Sequence, residues 1–384
     1  MCLPAVANRG KTRVHMWSEF GEYIPETEPE GVERLYVWQM AVGLQAVDGL
    51  KPSDFLLQTA RRNIAGDIGI DEVRRLVYEY YENRELRTEQ ERTEHEADKV
   101  AANMAKILGE RSFSLVPGMV VSIHQRLFDG VFPFAGQFRK VDISKKEWVL
   151  RGDTVLYSPA PLIEESVHWD IAQERNFNYV SLSLSQAVEH LAHFIAALWQ
   201  IHPFAEGNTR TMAVLLIKYL RYMGFDADYT LFARHSWYFR NALVRANYHN
   251  PKKGVDKDFK YLVNFLRNLL MGETHELKNR YLIIPDVEQA AAATEQVTEQ
   301  VRGEKLIAQF SNQLQILIKG MEEQEYSMKQ LMALCSIKHR PSFIENYIKP
   351  AISNGIVKLK YEDNPNHPRQ KYLLTIKGVL LRNS

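Results

Sequence analysis

The chain has 384 residues, of which 45% are hydrophobic and 25% are charged, and this composition is typical of a globular protein with two or three compact units. Its 48 Lys and Arg side chains nearly balance 47 Asp and Glu, which excludes a general attraction to nucleic acid or anionic membranes. Two cysteines, Cys2 and Cys335, exclude a disulfide framework, and no apolar run reaches the length of a signal peptide or a membrane span. We therefore expect a cytoplasmic protein that does not contact membranes.

The first 84 residues predict a small helical unit. Apolar residues recur at helical spacing from Val32 to Asp48, and Gly49 is suited to end that helix. A second helix is expected between Ser53 and Gly66, and a third begins at Asp71, whose side chain can cap residues 72–81. The charged stretch that follows, residues 84–99, is typical of a solvated helix face.

Residues 85–284 predict a second, mainly helical unit. Residues 138–157 differ, because β-branched and aromatic residues surround a Gly-Asp turn there and favour a β-hairpin. The apolar helix that follows should be the buried centre of the unit and should end at His202, since the residue before a proline is displaced from helical geometry. Another apolar helix is predicted from about Arg210 to Met223.

The last part of the chain predicts a linker and a basic domain. Residues 285–305 are low in complexity and are expected to be a helical or partly disordered linker. In residues 306–384, 11 Lys and Arg stand against 6 Asp and Glu. The order of two helices, a turn, a further helix and two strands predicts a winged helix-turn-helix. Such a domain can bind DNA or a protein, and the candidate phosphate contacts are Lys338, His339, Arg340, Lys349, Arg369 and Lys371.

Residues 202–210, which read His-Pro-Phe-Ala-Glu-Gly-Asn-Thr-Arg, join two apolar helices. Gly207 permits close approach of the backbone, and the start of the next helix offers unpaired N–H groups, so this loop predicts an anion cradle. Glu206 is suited to hold Mg²⁺ together with phosphate oxygens, and Arg210 to neutralise phosphate charge. His202 titrates near neutrality and can take a proton from an attacking hydroxyl. The alternative, a capped turn with a surface histidine, leaves the Glu-Gly-Asn triplet unexplained.

The loop resembles the signature of the Fic family, His-x-Phe-x-(Asp/Glu)-Gly-Asn-(Gly/Lys)-Arg, and the resemblance extends over most of residues 101–280. It implies a mainly α fold, in which a Fic-type helical bundle carries a β-hairpin flap and is followed by the winged helix-turn-helix. It also implies a bacterial adenylyltransferase that uses ATP or another nucleoside triphosphate and Mg²⁺ to modify a Ser, Thr or Tyr hydroxyl of a protein substrate. By this likeness the base is His202, the metal ligand is Glu206, and the phosphate-binding residues are Gly207, Asn208, Thr209 and Arg210.

Two neighbouring segments extend the resemblance. Residues 132–146 resemble the segment that leads into the flap, on which the target protein lies as an added strand. This implies that Ser144, Lys145 and Trp148 contact the target. Residues 238–247 resemble the helix that borders the nucleobase pocket, which makes Tyr238 and Asn247 candidate nucleobase contacts, with helix packing as the alternative.

The loop departs from the family at two positions. Thr209 stands where the family usually has glycine or lysine, and Ala213 replaces a second arginine that in many members holds the γ-phosphate. We therefore expect altered handling of the nucleotide. An inactive protein and a Doc-like phosphotransferase, in which the γ-phosphate moves, remain the alternatives.

Residues 44–49 and the helices after them resemble the small antitoxin subunits of the family. Leu44 stands where Ser or Thr is usual, and Asp48 where the inhibitory glutamate is usual. Asp48 is thus a candidate inhibitory residue, with an ordinary helix end as the alternative. Because its side chain is one methylene shorter than glutamate, we expect it to reach Arg210 only weakly.

Two other classes of function compete with this interpretation. A DNA-binding regulator would act through residues 306–384, independently of His202. A zinc hydrolase would use Glu189, His190, His193 and His202, but these residues lack the histidine spacing of zincins. The sequence leaves open the target protein, the preferred nucleotide and whether the chain forms a homodimer.

Overall fold

The structure is a computed structural model that describes residues 29–285 apart from 83 and 226, and residues 310–382 apart from 362–364, 366 and 368. Its described part is mostly helical with one small antiparallel sheet, as predicted for the fold class. The first 28 residues and almost all of the predicted linker lie outside the described residues. In the described part, no helix combines the length and the apolar character that crossing a bilayer requires.

The N-terminal helices are α1 (Pro29–Gly43), α2 (Asp54–Ala65) and α3 (Ile70–Glu82). A 3-10 turn, Leu44–Asp48, extends α1 and ends at Gly49, whose φ is 73°. The Ser53 hydroxyl caps α2 by accepting a hydrogen bond from the Leu56 amide. These features confirm the three helices that the sequence predicts.

The central helices surround α7, which is largely buried, and α8, which is almost fully buried, and the candidate loop joins the two. The complete set is α4 (Glu89–Gly109), α5 (Pro117–Leu127), α6 (Ile163–Asn176), α7 (Leu184–Ile201), α8 (Asn208–Tyr222), α9 (Thr230–Arg234), α10 (Ser236–Asn247) and α11 (Lys260–Met271). Short 3-10 turns occur at Trp148–Leu150, Ala160–Leu162, Pro251–Lys253 and Asn279–Leu282.

Residues 138–157, which we call the flap, contain no strands, so the predicted β-hairpin is wrong. The turn is where the sequence places it, with Arg151 and Gly152 at φ values of 53° and 87°. Across the two arms, the Glu147 amide donates to the Asp153 carbonyl at 2.8 Å. The Lys145 amide, however, donates to the Thr154 hydroxyl at 3.1 Å. A side chain thus takes the place of the next ladder bond, and regular strand pairing does not form.

The C-terminal domain has the element order predicted for a winged helix-turn-helix, with one helix added at its end. Strands β1 (Val357–Leu359) and β2 (Tyr372–Leu374) pair antiparallel, with Val357 opposite Leu374. The predicted turn between them, residues 364–368, falls largely outside the described residues. The helices are α12 (Asn312–Gly320), α13 (Met328–Leu334), α14 (Arg340–Phe343), a π-helical turn (Ile344–Ile348), α15 (Lys349–Ser353) and the added α16 (Ile376–Arg382).

The buried apolar side chains form one continuous cluster that extends from Leu35 to Leu381. Helix α1 lies against α4 and α9, and α16 lies against α7. The Lys377 amide donates to the Met223 carbonyl, so the backbone of the C-terminal domain also contacts the end of α8. The predicted units therefore share a core, and the boundaries near residues 84 and 305 stay predictions.

Candidate functional site

The candidate loop reverses the chain between α7 and α8 with two left-handed residues. His202 has a φ of 51° and Gly207 a φ of 77°. A Cβ atom at Gly207 would lie 2.2 Å from the Phe128 ring, so both the backbone conformation and this contact require glycine. Phe204 is fully buried and stacks on His124, with ring centroids 3.7 Å apart. These contacts hold the loop rigidly against α5.

His202 is almost completely buried, with 2% of its surface exposed. Its ring packs against Tyr157 at 4.2 Å between centroids, and both ring nitrogens lack a hydrogen-bond partner among the described residues. Burial, followed by the positive charges of Lys145, Arg139 and Arg240, lowers the pKa of His202 well below its usual value. The imidazole is therefore neutral near pH 7 and able to accept a proton.

Arg139 holds the backbone around His202. Its amide donates to the Pro203 carbonyl at 2.9 Å. Its guanidinium donates to the carbonyls of His202 and Val141, each at 2.8 Å, and to that of Ile201 at 3.3 Å. No local pattern marks this residue, because the carbonyls of the loop that it binds lie about sixty positions away in the chain.

The side chains of Asn208 and Thr209 stabilise the loop from inside. The Asn208 amide group accepts from the Phe204 N–H at 2.9 Å and donates to the Phe204 carbonyl at 2.7 Å. The Thr209 hydroxyl accepts from the Trp199 indole at 3.0 Å. For the phosphate contacts that the resemblance implies, these two residues therefore offer the backbone N–H groups of the first turn of α8, which have no intrahelical acceptor.

Arg210 is fully buried and contacts two carboxylates. Its Nε lies 2.7 Å from Asp48 Oδ2, and its Nη2 lies 2.7 Å from Glu96 Oε1. The Asp48 contact is close but lacks the alignment of a hydrogen bond, whereas Nη1 donates to Gln45 Oε1 at 3.1 Å. The Phe128 ring covers the guanidinium at 4.8 Å. The predicted phosphate-binding arginine is thus already paired with carboxylates from two separate segments.

The charged stretch of residues 84–99 is not simply the solvated face that the sequence predicts. Glu96 reaches Arg210, and Asp98 is fully buried and accepts from Ser53 and Tyr81. Burial raises the pKa of Asp98 to about 6. No local signal separates Glu96 from the other carboxylates of the stretch, because its partner comes from a distant part of the chain.

Glu206 lies at the open rim of the loop, with 40% of its side chain exposed, and pairs with Lys145 of the flap at 3.1 Å. Among the residues described, no group of three or more His, Cys, Asp and Glu side chains could hold a metal. A single exposed carboxylate nevertheless fits Mg²⁺, which keeps water ligands and takes further oxygens from phosphate. Ser144 and Trp148, the other predicted docking residues, are exposed on the flap.

Two carboxylates, of which Glu147 is buried, anchor the flap to the residues behind it. Glu147, with 1% of its side chain exposed, pairs with Arg240 of α10 at 2.7 Å. The Asp153 carboxylate accepts from Tyr248 at 2.7 Å and from Lys253 at 2.8 Å. The flap is therefore held at both sides of its turn although it has no strands.

Tyr238 and Asn247, the candidate nucleobase contacts, both hydrogen-bond to backbone carbonyls. The Tyr238 hydroxyl donates to the Tyr261 carbonyl at 3.3 Å. The Asn247 amide donates to the Ala196 carbonyl at 2.8 Å and to the Leu243 carbonyl at 3.0 Å. These bonds are of the kind that the packing alternative predicts, and a nucleobase contact by either residue stays a prediction.

The histidines of the zinc alternative make separate contacts. His190 lies 2.7 Å from the buried Glu174 carboxylate. His193 stacks on Phe259 with centroids 3.8 Å apart, while the His202 ring packs against the flap. The three imidazoles do not converge on one point among the described residues.

Comparison with known proteins agrees with this geometry. Residues 114–220, which include α5, α7, the loop and most of α8, match the model of the Fic/DOC family. Over this segment the chain is similar to members of that family. Residues 312–375 match the model described as "Filamentation induced by cAMP protein Fic-like, C-terminal domain". The two matches confirm the family resemblance of the loop and link the C-terminal part to the same family.

The same part of the chain resembles curated proteins over part of their length. The protein adenylyltransferase VbhT of Bartonella schoenbuchensis is 30% identical over 107 residues, 28% of this chain and 21% of that protein. A probable protein adenylyltransferase Fic of Salmonella typhimurium is 25% identical over 152 residues, 37% of this chain and 72% of that protein. A crystal structure of a Fic family protein from Desulfovibrio desulfuricans G20 aligns over 92% of this chain and 98% of that one, with 18% identity and a TM-score of 0.33.

Proposed function

We propose that this Fic protein transfers a nucleoside monophosphate from ATP or a related nucleoside triphosphate to a Ser, Thr or Tyr hydroxyl of a protein. The adenylyltransferase names of its relatives support this activity. The observation that carries the proposal is the buried imidazole of His202, whose nitrogens have no partner among the described residues and whose pKa is lowered by burial. A buried polar group without a partner is costly, and such groups concentrate at functional sites.

In the proposed reaction, His202 accepts the proton of the target hydroxyl as the hydroxyl oxygen attacks the α-phosphorus. The bond from the α-phosphorus to the oxygen that bridges to the β-phosphate breaks, and pyrophosphate leaves. The N–H groups at the start of α8 are suited to bind the phosphates, and Arg139 keeps His202 in its left-handed conformation. Mg²⁺ held by Glu206 would neutralise the charge of the leaving phosphates.

The first prediction concerns His202. His202→Ala should abolish transfer of label from α-³²P ATP to protein, with little change in ATP affinity, because the side chain acts on the hydroxyl and not on phosphate. Labelling of a cell lysate, followed by electrophoresis, measures the transfer. His249→Ala, at an exposed histidine, is the control. Undiminished labelling by His202→Ala would overturn the mechanism, and transfer from γ-labelled ATP alone would favour the Doc-like phosphotransferase.

We also propose that Asp48 and Glu96 restrain this activity. Both carboxylates form ion pairs with Arg210, which a bound triphosphate would need for charge neutralisation. Because Arg210 has no exposed surface, phosphate can reach it only when at least one carboxylate moves away. The arrangement with both carboxylates in place is therefore the restrained form of the enzyme.

DNA binding by residues 306–384 stays a prediction. Lys338 and Arg340 are exposed, as phosphate contacts require, but Lys349 pairs with Glu345 of the same helix segment at 2.7 Å. A protein partner for this domain and a homodimer are likewise left as predictions, and no contact favours one of them.

A further inference from the structure

Lys145 differs from three other cations near the loop because its carboxylate partner is the proposed Mg²⁺ ligand. Arg139 is bonded to backbone carbonyls, and Arg240 is paired with a buried carboxylate of the flap. Arg210 is enclosed by two carboxylates. Lys145 instead pairs with Glu206, the proposed Mg²⁺ ligand, so binding of the metal would release this cation from its partner.

The geometry of Lys145 combines a fixed backbone with an accessible ammonium. Its amide donates to the Thr154 hydroxyl at 3.1 Å, which holds the main chain of the flap. Its Nζ lies 3.1 and 3.4 Å from the two carboxylate oxygens of Glu206, and 32% of the side chain is exposed. After burial, its charge contributes most to the lowered pKa of His202, which means that the ammonium is also near the proposed base.

We propose that Lys145 is a nucleotide-binding residue that exchanges its contact with Glu206 for a contact with a phosphate oxygen when Mg²⁺ and the nucleotide bind. The exchange balances charge, because the cation that leaves the carboxylate is replaced there by the metal. It also compensates for Ala213, which offers no charge to the phosphates. The inference rests on the proposed function in one respect only, namely that the loop binds a nucleoside triphosphate with Mg²⁺.

The direction in which Lys145→Met changes the affinity for MgATP separates this role from simple neutralisation of Glu206. If Lys145 only neutralised the carboxylate, Lys145→Met would remove a competitor of Mg²⁺ and would leave MgATP binding unchanged or tighter. If Lys145 contacts phosphate, the same substitution weakens MgATP binding by about tenfold or more, because a hydrogen bond to a charged group contributes about 1.5–3 kcal/mol. The aliphatic stem is kept in both cases.

The experiment is calorimetric titration of the full chain with MgATP. We expect binding to be weakened about tenfold or more in Lys145→Met and within about threefold of wild type in Lys145→Arg, which keeps the charge. The control is Lys146→Met, which changes an exposed lysine of the same flap and should bind like wild type. Equal or tighter binding by Lys145→Met would overturn the inference.

A second titration removes the metal. In Glu206→Gln, Lys145 has lost its partner without Mg²⁺, so adding Lys145→Met to that variant should weaken binding of ATP in EDTA by about tenfold. Equal ATP affinity of the single and double variants would overturn the inference.

Transfer of label to protein is measured separately, because it tests the proposed function and not the role of Lys145. If wild type binds MgATP through Lys145 but transfers no label, the proposed function fails alone. If neither wild type nor Asp48→Asn binds MgATP, both fail.

Discussion

At the scale of single residues, Arg210 determines how accessible the site is. Its guanidinium is buried, and Asp48 and Glu96 each approach it to 2.7 Å from different segments. The charge of Arg210 is therefore already neutralised in this structure, and under the proposed function phosphate would have to compete with both carboxylates. The Asp48 side chain is one methylene shorter than glutamate, yet it makes a close contact with Arg210. The two groups are not aligned for a hydrogen bond.

The substitutions Asp48→Asn and Glu96→Gln test this pairing. Each alone leaves Arg210 with one carboxylate and should lower the free energy of unfolding by about 1 kcal/mol, whereas the pair leaves a buried cation unpaired and should cost about 3–5 kcal/mol. Both single variants should bind MgATP more tightly than wild type. Chemical denaturation with and without MgATP measures the two effects.

The control for this test is Glu94→Gln. Glu94 lies on α4 close to Glu96 but accepts a hydrogen bond from Gln90 on the surface. Its loss should change neither stability nor nucleotide affinity by a measurable amount. If the losses of unfolding free energy in Asp48→Asn and Glu96→Gln are strictly additive and the MgATP affinity is unchanged, residues 44–49 are an ordinary helix end.

At the scale of elements, His124 links α5 to the candidate loop. Its Nδ1 accepts from the Gly136 amide at 2.8 Å, so its Nε2 carries the proton and donates to the Glu206 carbonyl at 3.1 Å. Only the neutral ring can make both bonds. Burial lowers the pKa of His124 to about 4, below the value of about 6.5 expected in the unfolded chain.

The lowered pKa predicts an acid-sensitive contact. Below pH 6.5 the unfolded state binds a proton at His124 that the folded state does not, so stability is lost as the pH falls from 6.5 toward 4. At pH 5 the loss is about 2 kcal/mol. His124→Gln keeps a donor and an acceptor but cannot titrate. Between pH 7.5 and pH 5, the free energy of unfolding should fall by about 2 kcal/mol more in wild type than in this variant, as denaturation measures. Other titrating groups, such as Asp98, contribute equally to both proteins and cancel in the difference. Equal losses would show that His124 does not titrate as stated.

At the scale of the whole molecule, α8 connects the loop with the C-terminal domain. The helix has 15 residues and is therefore about 22 Å long. Beyond its end, Gly224 meets Gly355 so closely that a Cβ atom on Gly355 would lie 2.3 Å from the Gly224 carbonyl oxygen. The Lys377 amide donates to the Met223 carbonyl at 3.1 Å beside this contact. The C-terminal domain is thus held at the opposite end of the helix that begins at the candidate loop.

Gly355→Ala should loosen this contact. Gly355 and Gly254 share a φ of 63°, but an added Cβ atom meets nothing within 4 Å at Gly254. Gly254→Ala should therefore cost only the backbone strain of about 1–2 kcal/mol, and Gly355→Ala about 1–3 kcal/mol more. Hydrogen exchange should report faster exchange at the Lys377 amide in Gly355→Ala than in Gly254→Ala. Equal exchange in the two variants would show that the close approach of the glycines does not hold the domain.

Local signals in the sequence were sufficient for the helices of residues 29–82, the candidate loop and the order of elements in the C-terminal domain. Caps, helix-ending glycines and apolar periodicity act between neighbours in the chain, and the chemistry of the loop lies in nine consecutive residues. The flap was harder to predict, because β-branched residues favour strands but do not reveal that the Thr154 hydroxyl takes a ladder position. Propensity alone cannot weigh such a competing bond.

Only the tertiary structure decided which residues surround the loop. Gln45 and Glu96 lie 165 and 114 positions from Arg210 in sequence, and Lys145 lies 61 positions from Glu206. The backbone carbonyls that Tyr238 and Asn247 bind were likewise visible only in the tertiary structure. Contacts at such separations leave no periodic or spacing signal, because they depend on how whole helices pack and not on the preferences of adjacent residues.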